Sequence, residues 1–316
     1  MRIEFSQAVS ELRNADNILI LTHTNPDGDT LGSGFALLRA LRKLGKRARL
    51  VNNDVIPAKY AYLYENVEDD SFREEFIVSV DVAEKKLLGD SIKEKYGDRV
   101  NLSIDHHETS RLFAEKTYCE PDSASACEVI YLVIKALGVN MDSDIASCIY
   151  TGMSTDTGCF KYSNVTARTH LIAAEVISLG AEHSKINERM FDTKSVGSIK
   201  LEKMCYENLE IYAEGKVAVI SVTKAMLSEC GLDKSALDAI KPITRQIEGV
   251  SIGITVKEED NGAVGVSVRT DEKYDAAAIC AHFGGGGHIR AAGCEFRLTV
   301  AEAKAKVIDY IINNIV

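Results

Sequence analysis

Residues 18–29 read Ile18-Leu-Ile-Leu-Thr-His-Thr-Asn-Pro-Asp-Gly-Asp29, four apolar residues running into a polar turn that carries His23, Asp27 and Asp29. A short apolar run closed by Asn, Pro and Gly has the length and the stop signals of a buried strand ending in a turn. Beyond it, Leu31, Phe35, Leu38 and Leu41 recur at helical spacing until Gly45 stops the helix, and residues 47–52 form a second strand. Two more β-like runs, 76–80 and 100–104, lead into a helix over 123–137 closed by Gly138. Helices follow at 144–153 and at 167–179, the last ended by Gly180. Strands alternating with helices predict a parallel sheet with helices on both faces.

From 185 to 203 the sequence is polar, with neither a strand pattern nor a long apolar stripe, and the domain junction is expected there. The division is a first domain over 1–190, a linker over 191–205 and a second domain over 206–316. In the second, Val/Ile-rich strands at 216–222, 251–256 and 263–269 precede a glycine cluster and a terminal helix from Val300. The expected fold is therefore α/β, a parallel-sheet domain followed by a smaller α+β domain, with the active site in the cleft between them.

A chain of 316 residues suits two domains. The 47 acidic against 37 basic residues give a net charge of −10, which excludes tight binding along a long duplex. A small anionic substrate remains compatible if metal ions supply local positive charge. No apolar run approaches the roughly 18 residues of a membrane span. Arg2, Glu4, Gln7 and Glu11 interrupt the amino terminus, so it lacks the hydrophobic stretch of a secretory signal, and a cytoplasmic protein is expected. The eight cysteines are dispersed without a close CxxC pair and read as reduced, structural thiols.

The chemistry lies in where acids and imidazoles fall relative to the strands. His23, Asp27 and Asp29 end the first strand, Asp81 the third, and Asp105, His106 and His107 the fourth; Asp156 is read within a glycine-containing turn, Thr151–Gly158. The carboxyl ends of parallel strands share one edge, where ligands bind. Local roles exist for single residues: Asp29 as a helix N-cap, Asp27-Gly28 as a turn. Convergence argues otherwise, because carboxylates held together raise one another's pKa unless a cation neutralises them. Imidazole mixed with carboxylate suits Mn²⁺, Fe²⁺ or Co²⁺, with Mg²⁺ less favoured. There are ligands enough for two ions about 3.5 to 4 Å apart, a spacing suited to phosphoryl chemistry.

In the second domain, Gly284, Gly285, Gly286 and Gly287 followed by His288 allow close backbone approach to an anion, especially where a helix begins next. Alternation over 263–269 puts Val264, Val266 and Val268 on one face and Gly265, Ser267 and Arg269 on the other. This face and the glycine loop are expected to grip the second phosphate or the nucleoside of a substrate, with Arg245 and Lys161 as weaker cationic candidates.

His23-Thr-Asn-Pro-Asp-Gly-Asp29 with Leu31-Gly-Ser33, the isolated Asp81, Asp105-His-His107 and Thr155-Asp-Thr-Gly158 resemble, in content and in order, the four motifs of the DHH phosphoesterase superfamily. Phe283-Gly-Gly-Gly-Gly-His288 resembles the signature of the DHH-associated domain in the nano-RNase and pAp-phosphatase branch, so the resemblance spans essentially the whole chain. It implies that His23 and Asp27 hold one metal, Asp29, His106 and Asp156 the other, and that Asp81 bridges them. Asp105 would orient an imidazole, and His107 would face the reacting phosphate. The implied enzyme uses two Mn²⁺ ions, with Mg²⁺ or Co²⁺ as substitutes. It would hydrolyse short RNA, pApA-type dinucleotides or 3'-phosphoadenosine 5'-phosphate (pAp) to mononucleotides, with water or His107 protonating the leaving ribose oxygen. A cyclic-di-AMP phosphodiesterase and an inorganic pyro- or polyphosphatase are the alternatives with the same cluster, and a homodimer is allowed.

Overall fold

Ile18–Leu21 is a strand, and all four of its side chains are buried. Ile18 and Ile20 enter one apolar core while Leu19 and Leu21 enter another, so successive residues serve opposite faces of a sheet buried on both sides. The computed structural model describes residues 1–233, 236–240 and 242–316, with the backbone alone at 238 and 239. The chain divides into two units, Met1–Thr193 and Lys194–Val316.

The first unit runs α1 (Phe5–Asn14), β1 (Ile18–Leu21), α2 (Gly28–Lys43), β2 (Ala48–Val51), β3 (Phe76–Val80), α3 (Asp90–Tyr96), β4 (Leu102–Asp105), β5 (Lys116–Cys119), α4 (Ala126–Leu137), α5 (Ser143–Asp156), α6 (Ala167–Ser178) and α7 (His183–Asn187). All strand pairs are parallel, in the order β2-β1-β3-β4-β5. The chain leaves β1 outward to β2 and returns to the other side at β3, which makes the β1/β3 boundary a switch point where a crevice opens at the carboxyl edge. The larger core lies under α1, α2, α4 and α5. The opposite face is covered by the short α3 with Val82, Leu88 and Ala114, so helical cover is real on both faces but lopsided. Four elements were not anticipated: α1, α3, β5 and α7.

Glycines set two features of this unit. Gly138 closes α4 in the left-handed region at φ 80°, as its stop signal suggested. Gly152 lets α5 approach the neighbouring segments closely: a Cβ there would lie 2.2 Å from Cys127 Sγ and 2.6 Å from Asp29 Oδ1. Gly152→Ala is therefore expected to cost about 1–3 kcal/mol as overpacking. Urea unfolding checks this, and Cys127→Ala added to it should recover part of the loss; an unchanged midpoint for the single variant would count against this close packing.

The second unit runs α8 (Val196–Glu207), β6 (Glu210–Tyr212), β7 (Val217–Val222), α9 (Lys224–Glu229), α10 (Leu237–Ile240), β8 (Ile252–Glu258), β9 (Val264–Thr270), α11 (Ala276–His282), β10 (Gly286–His288), β11 (Ala291–Phe296) and α12 (Val300–Asn314). Most of the segment read as a linker is helix α8. The sheet order is β10-β11-β9-β8-β7-β6, antiparallel except for β7 with β8. Val264, Val266 and Val268 face a core shared with α11 and α12, while Ile220 and Val222 on the other face pack with α8, α9 and α10. All eight cysteines are free thiols. Among the described residues, no helix is long and apolar enough to cross a membrane.

Candidate metal centre

Strand ends and helix ends deliver six side chains to the carboxyl edge of the first sheet. His23, just past β1, donates from Nδ1 to the Thr24 carbonyl at 2.7 Å. Its Nε2 faces Asp27 Oδ1 at 3.7 Å and Asp81 Oδ2 at 3.5 Å. The N-cap of α2 is Asp27, whose Oδ1 accepts the N–H groups of Asp29 and Thr30, both at 3.0 Å. The cap considered for Asp29 thus belongs to its neighbour. Asp29, buried in the first turn, instead reaches the start of α4: Oδ2 accepts from the Ala126 N–H at 2.6 Å and Oδ1 from the Cys127 N–H at 2.9 Å. A carboxylate on two free N–H groups at a helix start is held in place by charge and geometry together.

Asp81 follows β3 with φ at +58°, a left-handed conformation that a non-glycine residue holds only when its surroundings impose it. It is 3% exposed, and its two oxygens look in two directions, Oδ2 to His23 and Oδ1 to His106 Nε2 at 3.6 Å. His106 Nδ1 donates to the Ser123 carbonyl at 3.1 Å, which turns Nε2 toward Asp29 Oδ2 at 3.6 Å and Asp156 Oδ2 at 3.7 Å. Asp156 is the last residue of α5, not part of a turn. Thr151 and Gly152 carry no stop signal strong enough to end a helix whose neighbours pack so tightly against it.

Burial sets the electrostatics. It pushes the Asp29 carboxyl up to about 6, helped by the charge of Asp27. Burial and then Asp29 push Asp156 up to about 7 and Asp81 well above the usual carboxylate range. Burial pulls the His23 imidazole down, but Asp27 and Asp81 outweigh it and raise it to about 11. Asp81 Oδ1 has no hydrogen-bond partner among the described residues, and a buried acceptor left so is costly. The imidazole–carboxylate separations of 3.5–3.7 Å exceed hydrogen-bond length. His23, Asp27 and Asp81 form one set of donor atoms within 4.8 Å of one another, and Asp29, His106 and Asp156 form a second. Mutually repelling acids, an orphaned oxygen and imidazole nitrogens aimed among them fit divalent cations.

Asp105, fully buried, supports this edge from behind. Its Oδ1 accepts from the backbone N–H groups of His106 and His107, at 2.8 and 3.3 Å, and from His107 Nδ1 at 2.8 Å. The hydrogen bond to Asp105 raises the His107 imidazole to about 9. The ring is 44% exposed and its Nε2 is not engaged by Asp105. Sequence reasoning missed the backbone partners, the Ser123 carbonyl and the Ala126 and Cys127 amides, because a backbone group leaves no signature in residue type.

The second unit gathers the other candidates on one sheet face. Arg269 pairs with Gly253 on one side and with Ala291 on the other, and Ala291 pairs with His288. Paired residues share a face, so Arg269 and His288 flank a floor of small residues. Arg245, in a short 3₁₀ turn, donates from Nη1 to the Ser251 carbonyl at 3.0 Å, and its Cδ lies beside Gly253. The glycine run is not a loop that opens a helix. Gly284, at φ 77°, turns the chain out of α11, and Gly286 and Gly287 enter β10, where a Cβ on Gly287 would sit 2.6 Å from the Ala291 carbonyl oxygen. Lys161 is exposed in the turns after α5.

A parallel α/β sheet whose carboxyl edge gathers acids and imidazoles from separate segments defines a metal-dependent enzyme. Residues 17–153 match the DHH family, N-terminal domain, and residues 214–315 match the DHHA1 domain. The chain belongs to the DHH phosphoesterase family. It is similar to the bifunctional oligoribonuclease and PAP phosphatase NrnA of Thermus thermophilus, 28% identical over 302 residues that cover 93% of this chain and 89% of that protein. The protein of the same name from Bacillus subtilis is 25% identical over 285 residues, 88% of each chain. An exopolyphosphatase-related protein from Bacteroides fragilis shares the fold with a TM-score of 0.85 and 25% identity, covering 98% of this chain and 96% of that one.

Proposed function

We propose that this phosphoesterase hydrolyses short oligoribonucleotides and pApA-type dinucleotides, together with pAp, to mononucleotides, using two Mn²⁺ ions. The observation that carries the two-ion reading is Asp81, buried and without a donor on Oδ1 among the described residues, with one oxygen turned to His23 and the other to His106. His23 and Asp27 would hold one ion, Asp29, His106 and Asp156 the other, and Asp81 both. When bound, such ions supply the acidity that makes water a nucleophile near neutrality and the positive charge that offsets phosphoryl oxygens. Asp105 fixes His107 by Nδ1, which leaves Nε2 to pass a proton to the leaving ribose oxygen. Arg269, His288, Arg245 and the Gly284–Gly287 segment would bind the second phosphate or the nucleoside and so restrict the enzyme to short substrates. The net charge of −10 supports small substrates over long duplexes. The free thiols support a cytoplasmic setting.

The test is kcat/KM with Mn²⁺ over a panel of pAp, pApA, short RNA, cyclic-di-AMP and pyrophosphate. Higher values for pApA, short RNA and pAp are expected, and a preference for pyrophosphate would overturn the substrate assignment. His107→Ala should lower kcat by about 10²–10⁴-fold, the usual worth of a positioned proton donor, while Mn²⁺ affinity stays near wild type. An unchanged kcat would remove His107 from the proton-transfer role.

A further inference from the structure

Two members of the Asp29–His106–Asp156 set, Asp29 and His106, depend on one short stretch of chain outside the cluster. The Ser123 carbonyl orients His106, and the Ala126 and Cys127 amides grip both oxygens of Asp29. Residues 123–127 lie between β5 and the first turn of α4, a connection with little intrinsic rigidity, so something must hold it still.

The holding groups come from the start of α6 and the residues before it. Arg168 reaches three points on this stretch and its flanks: Nη2 donates to Ser123 Oγ at 2.8 Å, Nη1 to Glu120 Oε1 at 2.6 Å, and Nε to Glu128 Oε1. Glu128 is fully buried, and its other oxygen accepts from the Ala124 N–H at 3.3 Å and from Thr169 Oγ1 at 3.1 Å. The Asn164 amide donates to the Ala124 carbonyl at 2.9 Å and to the Asp156 carbonyl at 3.2 Å, which ties the stretch to the third member of the set. A planar guanidinium fork spans such separated acceptors as no other side chain does, and each bond to a carboxylate is charge-assisted.

The His23–Asp27–Asp81 set is anchored by different residues. Asn52 Nδ2 donates to the His23 carbonyl at 2.7 Å, Asp54 Oδ2 accepts the Asn25 N–H at 2.7 Å, and the Leu87 carbonyl accepts the Thr24 N–H at 2.7 Å. These contacts involve neither Arg168 nor Asn164.

We propose that Arg168 and Asn164 are positioning residues that clamp the 123–127 stretch and thereby set the affinity of the Asp29–His106–Asp156 half of the centre alone. This rests on the two-ion reading above. Neither residue touches the cluster's ligand atoms; each acts through the groups that aim them, the kind of support whose loss typically weakens metal binding 10- to 100-fold.

The experiment is a Mn²⁺ titration of metal-free full-length protein by calorimetry, with circular dichroism and thermal unfolding on the same samples. Wild type should show two classes of site. In Arg168→Lys, which keeps the charge but loses the fork, one class should weaken about 10- to 100-fold while the other stays within about twofold. Asn164→Ala should weaken the same class, and it decides the matter if Arg168→Lys is unfolded. Two classes unchanged in a folded variant, or both weakened in parallel, would overturn the clamp and leave the functional reading standing. A wild-type protein that binds no Mn²⁺ would overturn the functional reading and the clamp with it.

Discussion

Asp81→Ala is expected to lower kcat/KM by more than about 10³-fold, a loss above about 4 kcal/mol, because it removes the carboxylate that the proposed two-ion site shares between its ions. The same substitution should not destabilise the metal-free protein. Asp81 is buried, pushed toward its neutral form by burial and by Asp29, and has an oxygen with no donor among the described residues, so removing it relieves a cost that offsets the small void and the lost support of His23. Loss of activity with an undiminished Tm is the mark of a residue kept for chemistry at the expense of stability. Steady-state assays with Mn²⁺ and thermal unfolding in EDTA check the two halves of this expectation. Near-normal turnover by the variant would contradict the bridging assignment.

The second large effect is an opposite pH response of the metal-free and metal-loaded protein. Asp29 at about 6 and Asp156 at about 7 stand above the ordinary carboxylate value of 3.8, so their ionisation costs stability at neutral pH, and the cost disappears as pH falls from about 7 toward 4. His23, raised to about 11, contributes stability that is complete below its ordinary 6.5 and is lost as pH rises from there. Both trends make the metal-free protein more stable at pH 5 than at pH 8. Metal binding needs the same groups deprotonated, so stabilisation by Mn²⁺ should grow with pH, reaching about 2.7 kcal/mol per ion when its concentration is 100-fold above Kd. Thermal unfolding in EDTA and in excess Mn²⁺ across this range checks it. A metal-free Tm that climbs from pH 5 to 8, or one that ignores Mn²⁺, would contradict the electrostatic picture.

What could be read from the chain and what could not divides along a physical line. β1 and α2 announced themselves through an apolar run and a helical repeat, and the acids and imidazoles at strand ends followed from where parallel strands finish. β5, Lys-Thr-Tyr-Cys, has no apolar run and owes its place to pairing with β4. α1 and α3 are short and interrupted by charged residues, and packing against the sheet decides them. Asp156 was expected in a turn because glycine and threonine punctuate 151–158, yet Gly152 serves close packing inside α5. The glycines at 284–287 read as a loop for an anion, but two of them are spent on a strand whose backbone approaches β11 too closely for a side chain. Asn164 meets the Ala124 carbonyl, and Arg168 the Ser123 hydroxyl, across 40 and 45 residues, contacts that no spacing of residue types reveals.

Crystals grown with Mn²⁺ and measured at the manganese absorption edge test the central claim most directly. Two anomalous peaks are expected, one at ligand distance from His23 and Asp27, the other from Asp29, His106 and Asp156, and both from Asp81. A single peak that Asp81 does not touch, or none among these six residues, would contradict it.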